Sequence, residues 1–231
     1  TGIDPFLTLP LTMAALFVIG YGLQRYLLNL IVRAPMFNTL LITFGLDVVL
    51  TYLAQLLFSA DFRTINPSYA GAHFNIGSVT VPLLRLLAFA LAAALTALLA
   101  IFLTRSRTGR AIRATSQNLD AARLYGVAPR SLYALTFALG AALAGAAGGL
   151  YGMVSQITPY IGAELTAKSF VIALIGGLDN PLGVLVGGLV LGLAEAVGTL
   201  YIGPTFDNVI SFGMLVLVLI LRPKGILGRT A

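Results

Sequence analysis

From Phe6 to Gln24 no charged residue occurs, and at about 1.5 Å per residue a helix of that stretch just covers the roughly 30 Å hydrocarbon core of a bilayer. Runs of the same kind recur from Met36 to Ala60, interrupted only by Asp47, from Leu86 to Leu103 and from Leu132 to Val154. A chain with several such runs has few ways to fold, because each backbone polar group inside the hydrocarbon needs a partner within the protein, and a helix supplies it. The charged fraction of 10% agrees, against about a quarter in soluble domains. The expected class is all-α: a polytopic helical membrane protein.

The segment Thr104 to Ser131, TRSRTGRAIRATSQNLDAARLYGVAPRS, stands apart. It carries six of the fourteen Lys and Arg residues (Arg105, Arg107, Arg110, Arg113, Arg123, Arg130) against one acid, Asp120. Such a segment fixes which side of a membrane the chain lies on. Ala, Arg, Leu and Gln dominate it, so it reads as short surface helices, broken near Thr108-Gly109, ending at Gly126 and restarting at Pro129. Topology accounts for the net charge of +6, and no nucleic-acid partner is expected. The absence of cysteine and the single histidine, His73, exclude disulfides, thiolate metal sites and a histidine cluster. No carboxylate pair or Ser-His set stands out, so an enzyme is not expected.

Between the spans, Arg25 and Arg33 mark an inner face after the first, and the region 61–81, with Asn66, Pro67, Ser68, Gly71, Asn75 and Gly77, suits an outer loop holding a short hairpin. Arg85 lies near the outer end of the third span, where its long side chain can snorkel. In the fourth span two stripes of small residues, Gly140-Ala144-Gly148-Gly152 and Ala141-Gly145-Gly149, suit close helix packing.

One uninterrupted span from Thr166 to Ala194 would leave the tail with Arg222, Lys224 and Arg229 outside, against the positive-inside rule. The conflict disappears if Gly176-Gly177-Leu178-Asp179-Asn180-Pro181-Leu182-Gly183 breaks the helix and reverses it within the membrane. The expected pieces are a half-span at 169–175, a return at 183–198, an outer connection from Glu195 to Asp207 and a last span at 208–221. Eleven of the fourteen positive residues then share one side.

The run GRAIRATSQNLDAARLYGVAPRSLYALTFALGAALAGAAGGLYG, then TPYIG, ALIGGLDNPLGVLVGGLVLGLAEA and LILRPKGILGR, resembles the permease subunits of bacterial ABC importers for branched-chain amino acids, the LivH/LivM type. The resemblance runs from about Arg25 to Arg229. It implies inward movement of branched-chain or other hydrophobic amino acids across the plasma (inner) membrane. It also implies ABC ATPase subunits that bind the ATP, a second homologous permease subunit, a periplasmic or extracellular substrate-binding protein, surrounding lipid, and no cofactor in this chain. No G-x-x-x-x-G-K-[ST] phosphate loop occurs in the sequence. Family members usually begin with further hydrophobic segments, so the chain is expected to be N-terminally short, and Asp47 replaces a usual small polar residue.

Asp120-Ala121-Ala122-Arg123-Leu124-Tyr125-Gly126 fits the E-A-A-x-x-x-G pattern of importer permeases, with Asp for Glu and without the later Ile-x-Leu-Pro part. The resemblance implies that this helix, through Asp120, Ala121, Ala122, Arg123 and Gly126, docks on the ATPase. The bland alternative is a solvated loop that only sets topology. Asp47, costly in mid-membrane by about 2.5–3.5 kcal/mol, is expected to face the bundle interior or a wet cavity, lining the pathway or pairing with another helix. Gly176, Gly177, Leu178 and Asn180 are expected to line the route, the alternative being a packed, dry break. Glu195 with Asp207 suits a structural hydrogen bond or a docking contact. The rival functions are an ATP-independent channel or secondary transporter, and an ABC permease for urea or short amides.

Overall fold

The structure, a computed structural model, describes residues 4–31, 35–65, 67, 69, 71–76, 79–178, 180–222 and 225–227. Among the described residues five helices are long and apolar enough to cross a membrane, Pro5–Ile31, Phe37–Phe58, Leu83–Arg105, Pro129–Val154 and Pro181–Tyr201, so the chain is an all-α polytopic membrane protein. It divides into two units, Thr1–Ala92 with Leu103–Pro159, and Ala93–Phe102 with Tyr160–Ala231.

In the first unit Asp4 caps α1 (Pro5–Gly22), its carboxylate accepting from the Phe6 N–H at 3.1 Å, and Pro5 occupies the first turn, where a missing N–H costs nothing. The helix does not stop at Gln24 as the apolar run implies. It continues through a π turn (Leu23–Leu28) into α2 (Asn29–Ile31), and Arg25 folds back toward the Tyr21 hydroxyl at 3.3 Å. Hydropathy marks where a span leaves hydrocarbon, whereas Arg and Tyr can carry the same helix into the headgroups. Arg33 lies outside the described residues.

The helix α3 (Met36–Phe58) has no buried residue among those described. After it, β1 (His73–Ile76) and β2 (Val79–Pro82) form the expected hairpin, antiparallel with His73 opposite Pro82. Asn66, Ser68 and Gly77 are outside the described residues. The loop is tied down: Arg63 and Ile157 exchange backbone hydrogen bonds at 3.0 and 2.9 Å, and the Ile65 N–H donates to the Gly152 carbonyl. The Tyr69 ring stacks on Phe6 and its hydroxyl donates to Asp4; partial burial, then the Asp4 carboxylate, push the phenol up to about 12.

The helix α4 (Leu83–Arg105) begins three residues earlier than the apolar run, with Arg85 in its first turn. Beyond it lie α5 (Arg107–Gln117), α6 (Leu119–Leu124) and α7 (Pro129–Val154). Packing of α1 on α7 explains the small residues: Ala134, Ala138, Ala142, Ala146 and Leu150, one per turn, form the buried stripe of α7. A Cβ on Gly20 would stand 2.7 Å from the Ala141 Cβ, and one on Gly145 2.6 Å from the Leu16 Cδ1. The other expected stripe divides: Gly140 and Gly148 face open space, while Gly152 meets Ile157 and Ile65.

In the second unit α8 (Ile161–Gly176) and α9 (Pro181–Tyr201) form a helical hairpin, and α10 (Asp207–Leu221) follows a short 3-10 turn. Val171, Ile175, Leu191 and Val218 make the core, one or two from each helix. Three expectations need correction. The helix before the break covers 16 residues, about 24 Å, not the seven of a half-span, because Ile161 to Lys168 is helical, with Glu164 favourably in the first turn. The break spans four residues rather than eight: Asn180 caps α9, accepting from the Leu182 N–H at 3.1 Å, and Pro181 sits in the first turn, where proline fits. Glu195 lies inside α9, so the connection to α10 begins only after Tyr201.

Candidate functional site

The basic segment folds as two helices whose break differs from the expected one. Ser106 caps α5, its hydroxyl accepting from the Gly109 N–H at 2.8 Å, and Asn118 caps α6, its side-chain oxygen accepting from the Ala121 N–H at 2.9 Å. Thr108 and Gly109 therefore sit in the first turn of α5 rather than at a break; Gly109 is buried there. A capping side chain satisfies amides that would otherwise lack partners, and that outweighs the modest helix penalty of one glycine.

The end of α6 is a Schellman motif. Gly126, at φ +78, donates its N–H to the Arg123 carbonyl at 3.0 Å, and the Val127 N–H donates to the Ala122 carbonyl at 3.2 Å. Asp120 and Arg123 form an exposed ion pair at 3.1 Å, of a kind contributing no more than about 1 kcal/mol. Ala122 is buried within this chain and Ala121 half-buried, so the alanine pair packs inward. What α6 presents outward is Leu124 and Tyr125, 88% and 90% exposed. Sequence reasoning passed over these two. The signal was available, since a glycine closing a six-residue helix leaves the two residues before it on the last, solvent-facing turn.

Asp47 is exposed on α3, with no hydrogen bond or ion pair among the described residues. At the α8–α9 turn, Gly176 and Gly177 are buried and Leu178 is exposed; Asp179 is outside the described residues. A Cβ on Gly187 would stand 2.6 Å from the Ile172 carbonyl oxygen, and one on Gly176 would collide with the Gly183 backbone, so the two helices touch main chain to main chain. The carbonyls of Ile175 and Gly176 accept from the N–H groups of Ile226 and Leu227 at 2.8 and 3.2 Å. Those carbonyls are not left for water or cargo.

Glu195 and Asp207 meet in the structure through Lys168, which directly precedes the half-span expected at 169–175. The Lys168 ammonium pairs with Asp207 and stands 3.4 Å from a Glu195 oxygen, while the fully buried Ser211 hydroxyl lies against Glu195. A lysine and two acids in otherwise apolar helices were the available signal. Two carboxylates share one cation, and the arrangement ties α8, α9 and α10 together.

The profile of the family described as branched-chain amino acid transport system / permease component matches residues 2–219. The chain belongs to this permease family. It is 34% identical to the high-affinity branched-chain amino acid transport system permease protein BraD of Pseudomonas aeruginosa, over 96% of this chain and 76% of BraD. It is 45% identical to the permease protein LivH of Escherichia coli over 57% of this chain and 43% of LivH. A probable branched-chain amino acid transport permease, LivH of Methanocaldococcus jannaschii, is 29% identical over 98% of this chain and 76% of its own length. No solved structure matches the chain. Two features stand out: a firmly capped helix in the basic segment with an exposed tip, and a helical hairpin in which the carbonyls of Ile175 and Gly176 are taken up by the tail.

Proposed function

We propose that this permease is the membrane-spanning subunit of an ABC importer in a bacterial plasma membrane, moving branched-chain or other hydrophobic amino acids inward while separate subunits bind and hydrolyse ATP. The observation that carries the reading is α6. A topogenic loop needs only its positive charge, whereas this one is folded, closed at Gly126 and topped by an exposed leucine and tyrosine. Aromatic and aliphatic anchors of that kind are what a partner cleft takes up. Asp120, Ala121, Ala122, Arg123 and Gly126 shape the helix, and Leu124 with Tyr125 contact the ATPase.

The names of BraD and LivH support the cargo class. A second related permease subunit and a substrate-binding protein complete the machine. Asp47 supports the second subunit: an exposed carboxylate in mid-helix costs about 2.5–3.5 kcal/mol against lipid, so this face of α3 turns toward another subunit or a wet route. Leu178 and Asn180 line the translocation route.

The test is reconstitution of the complete set of subunits in proteoliposomes. Leucine uptake is expected only with ATP and the ATPase subunits present. Uptake by the permease subunits alone would make the protein a channel or carrier instead.

A further inference from the structure

We propose that the C-terminal residues Gly225 to Leu227 are a clip that fixes the α8–α9 turn at the cytoplasmic membrane face, so that Leu178 and Asn180 stand at the inner mouth of the route rather than at mid-membrane. The proposal rests on the functional reading above for the side on which the tail lies.

The last turn of α8 ends on Gly176, and Gly177, at φ +100, reverses the chain. Any helix end leaves carbonyls without partners, which hydrocarbon does not tolerate. Here the tail supplies the donors: Ile226 to the Ile175 carbonyl and Leu227 to the Gly176 carbonyl. Within the turn, the Asn180 N–H donates to the Gly177 carbonyl at 3.3 Å. Gly225 makes the approach possible. It is buried at φ +81, and a Cβ on it would stand 2.7 Å from both the Gly177 nitrogen and the Leu174 carbonyl oxygen. Ile226 packs against the core of α8, α9 and α10, so the clip is held by side chain as well as backbone. The exposed Arg222 brings positive charge to the end of the unit where α8 presents its negative pole.

The consequence is topological. Only four residues separate the end of α10 at Leu221 from Ile226, so the turn lies at the depth at which α10 leaves the membrane. With α8 about 24 Å long, the hairpin reaches across most of the hydrocarbon from the outer side and turns at the inner one. The charge asymmetry is kept, and no backbone reversal at mid-depth is needed.

Two measurements on the full chain test this. Single cysteines at Asn180 and at Leu227, in a chain without other cysteines, are labelled with an impermeant maleimide in whole cells and in inside-out vesicles. Both are expected to react only in the vesicles; reaction of Asn180→Cys from the outside, or from neither side, overturns the placement. Hydrogen exchange then reads the clip directly. The Ile226 and Leu227 amides are expected to be protected, and Gly225→Ala is expected to speed their exchange about tenfold or more while leaving the amides of α7 unchanged. Gly192→Ala, at a position with open space around it, serves as the control and leaves them protected. Free exchange of both amides in the wild-type chain overturns the clip. ATP-driven leucine uptake by the wild-type complex is scored separately, so failure of the functional reading is distinguishable from failure of the clip.

Discussion

Among the helices that end on a glycine with positive φ, α6 at Gly126 and α8 at Gly177 have opposite surroundings. Gly126 has open space where a side chain would stand, and its helix end turns Leu124 and Tyr125 to solvent. Gly177 is buried, packed against Gly225, and its helix end is closed by the tail. The same backbone device therefore serves two purposes. At α6 it ends a short helix and displays its tip, as a contact surface requires. At α8 it lets main chain approach main chain in a medium that supplies no hydrogen bonds. Substitutions at the two ends should separate these roles.

The largest effect is expected in the closed region. Gly187→Val drives a branched side chain into the Ile172 carbonyl and should cost about 3 kcal/mol, seen as loss of the monodisperse peak when the detergent-solubilised protein is heated. An unchanged melting curve would mean that α8 and α9 do not touch as described. Next, Lys168→Ala leaves Glu195 and Asp207 together without their cation and should cost about 2 kcal/mol, less than a fully buried pair would because all three side chains retain some exposure. Restoration of the lost stability by Glu195→Gln in the same chain would assign the cost to the unpaired charge.

The open end should behave differently. Gly126→Ala meets no neighbour, so its cost is the strain of φ +78, about 1 kcal/mol, with insertion intact. Uptake per ATP hydrolysed should nevertheless fall, and normal coupling would reduce the segment to a topogenic role. The smallest effect belongs to Gly140→Ala on α7, where open space and the better helix propensity of alanine predict a gain of about 0.5–1 kcal/mol in thermal stability. A loss there would show that Gly140 packs against something.

The apolar runs were legible as helices because an uncharged run of bilayer length has one economical fold, and each of the four overlaps a helix long and apolar enough to cross a membrane. Their ends were less so. The first helix passes Arg25 and α8 begins at Ile161, since helix and hydrocarbon need not end together. On α7 every face is small enough to pack, so composition did not distinguish the stripe through Ala138 and Ala142 from the one through Gly140 and Gly148. Gly126 was legible as a helix stop because glycine at the close of a short helix has a specific geometric reason. The exposed Leu124 and Tyr125 and the meeting of Lys168 with Glu195 and Asp207 left only partial signals, a glycine closing a short helix and three charges in apolar helices, whereas the buried side of Ala122 left none, because it depends on which way a six-residue helix is turned.

The coupling role of α6 is the central claim, and one measurement addresses it directly. Tyr125→Cys, the single thiol in an otherwise cysteine-free chain, is labelled with a short photoactivatable cross-linker in inside-out vesicles containing the assembled transporter. An adduct with the ATPase subunit is expected, with an exposed cysteine at Ser116 on α5 giving much less. Adducts with lipid alone from Tyr125→Cys, in vesicles that carry out ATP-driven leucine uptake, would contradict it.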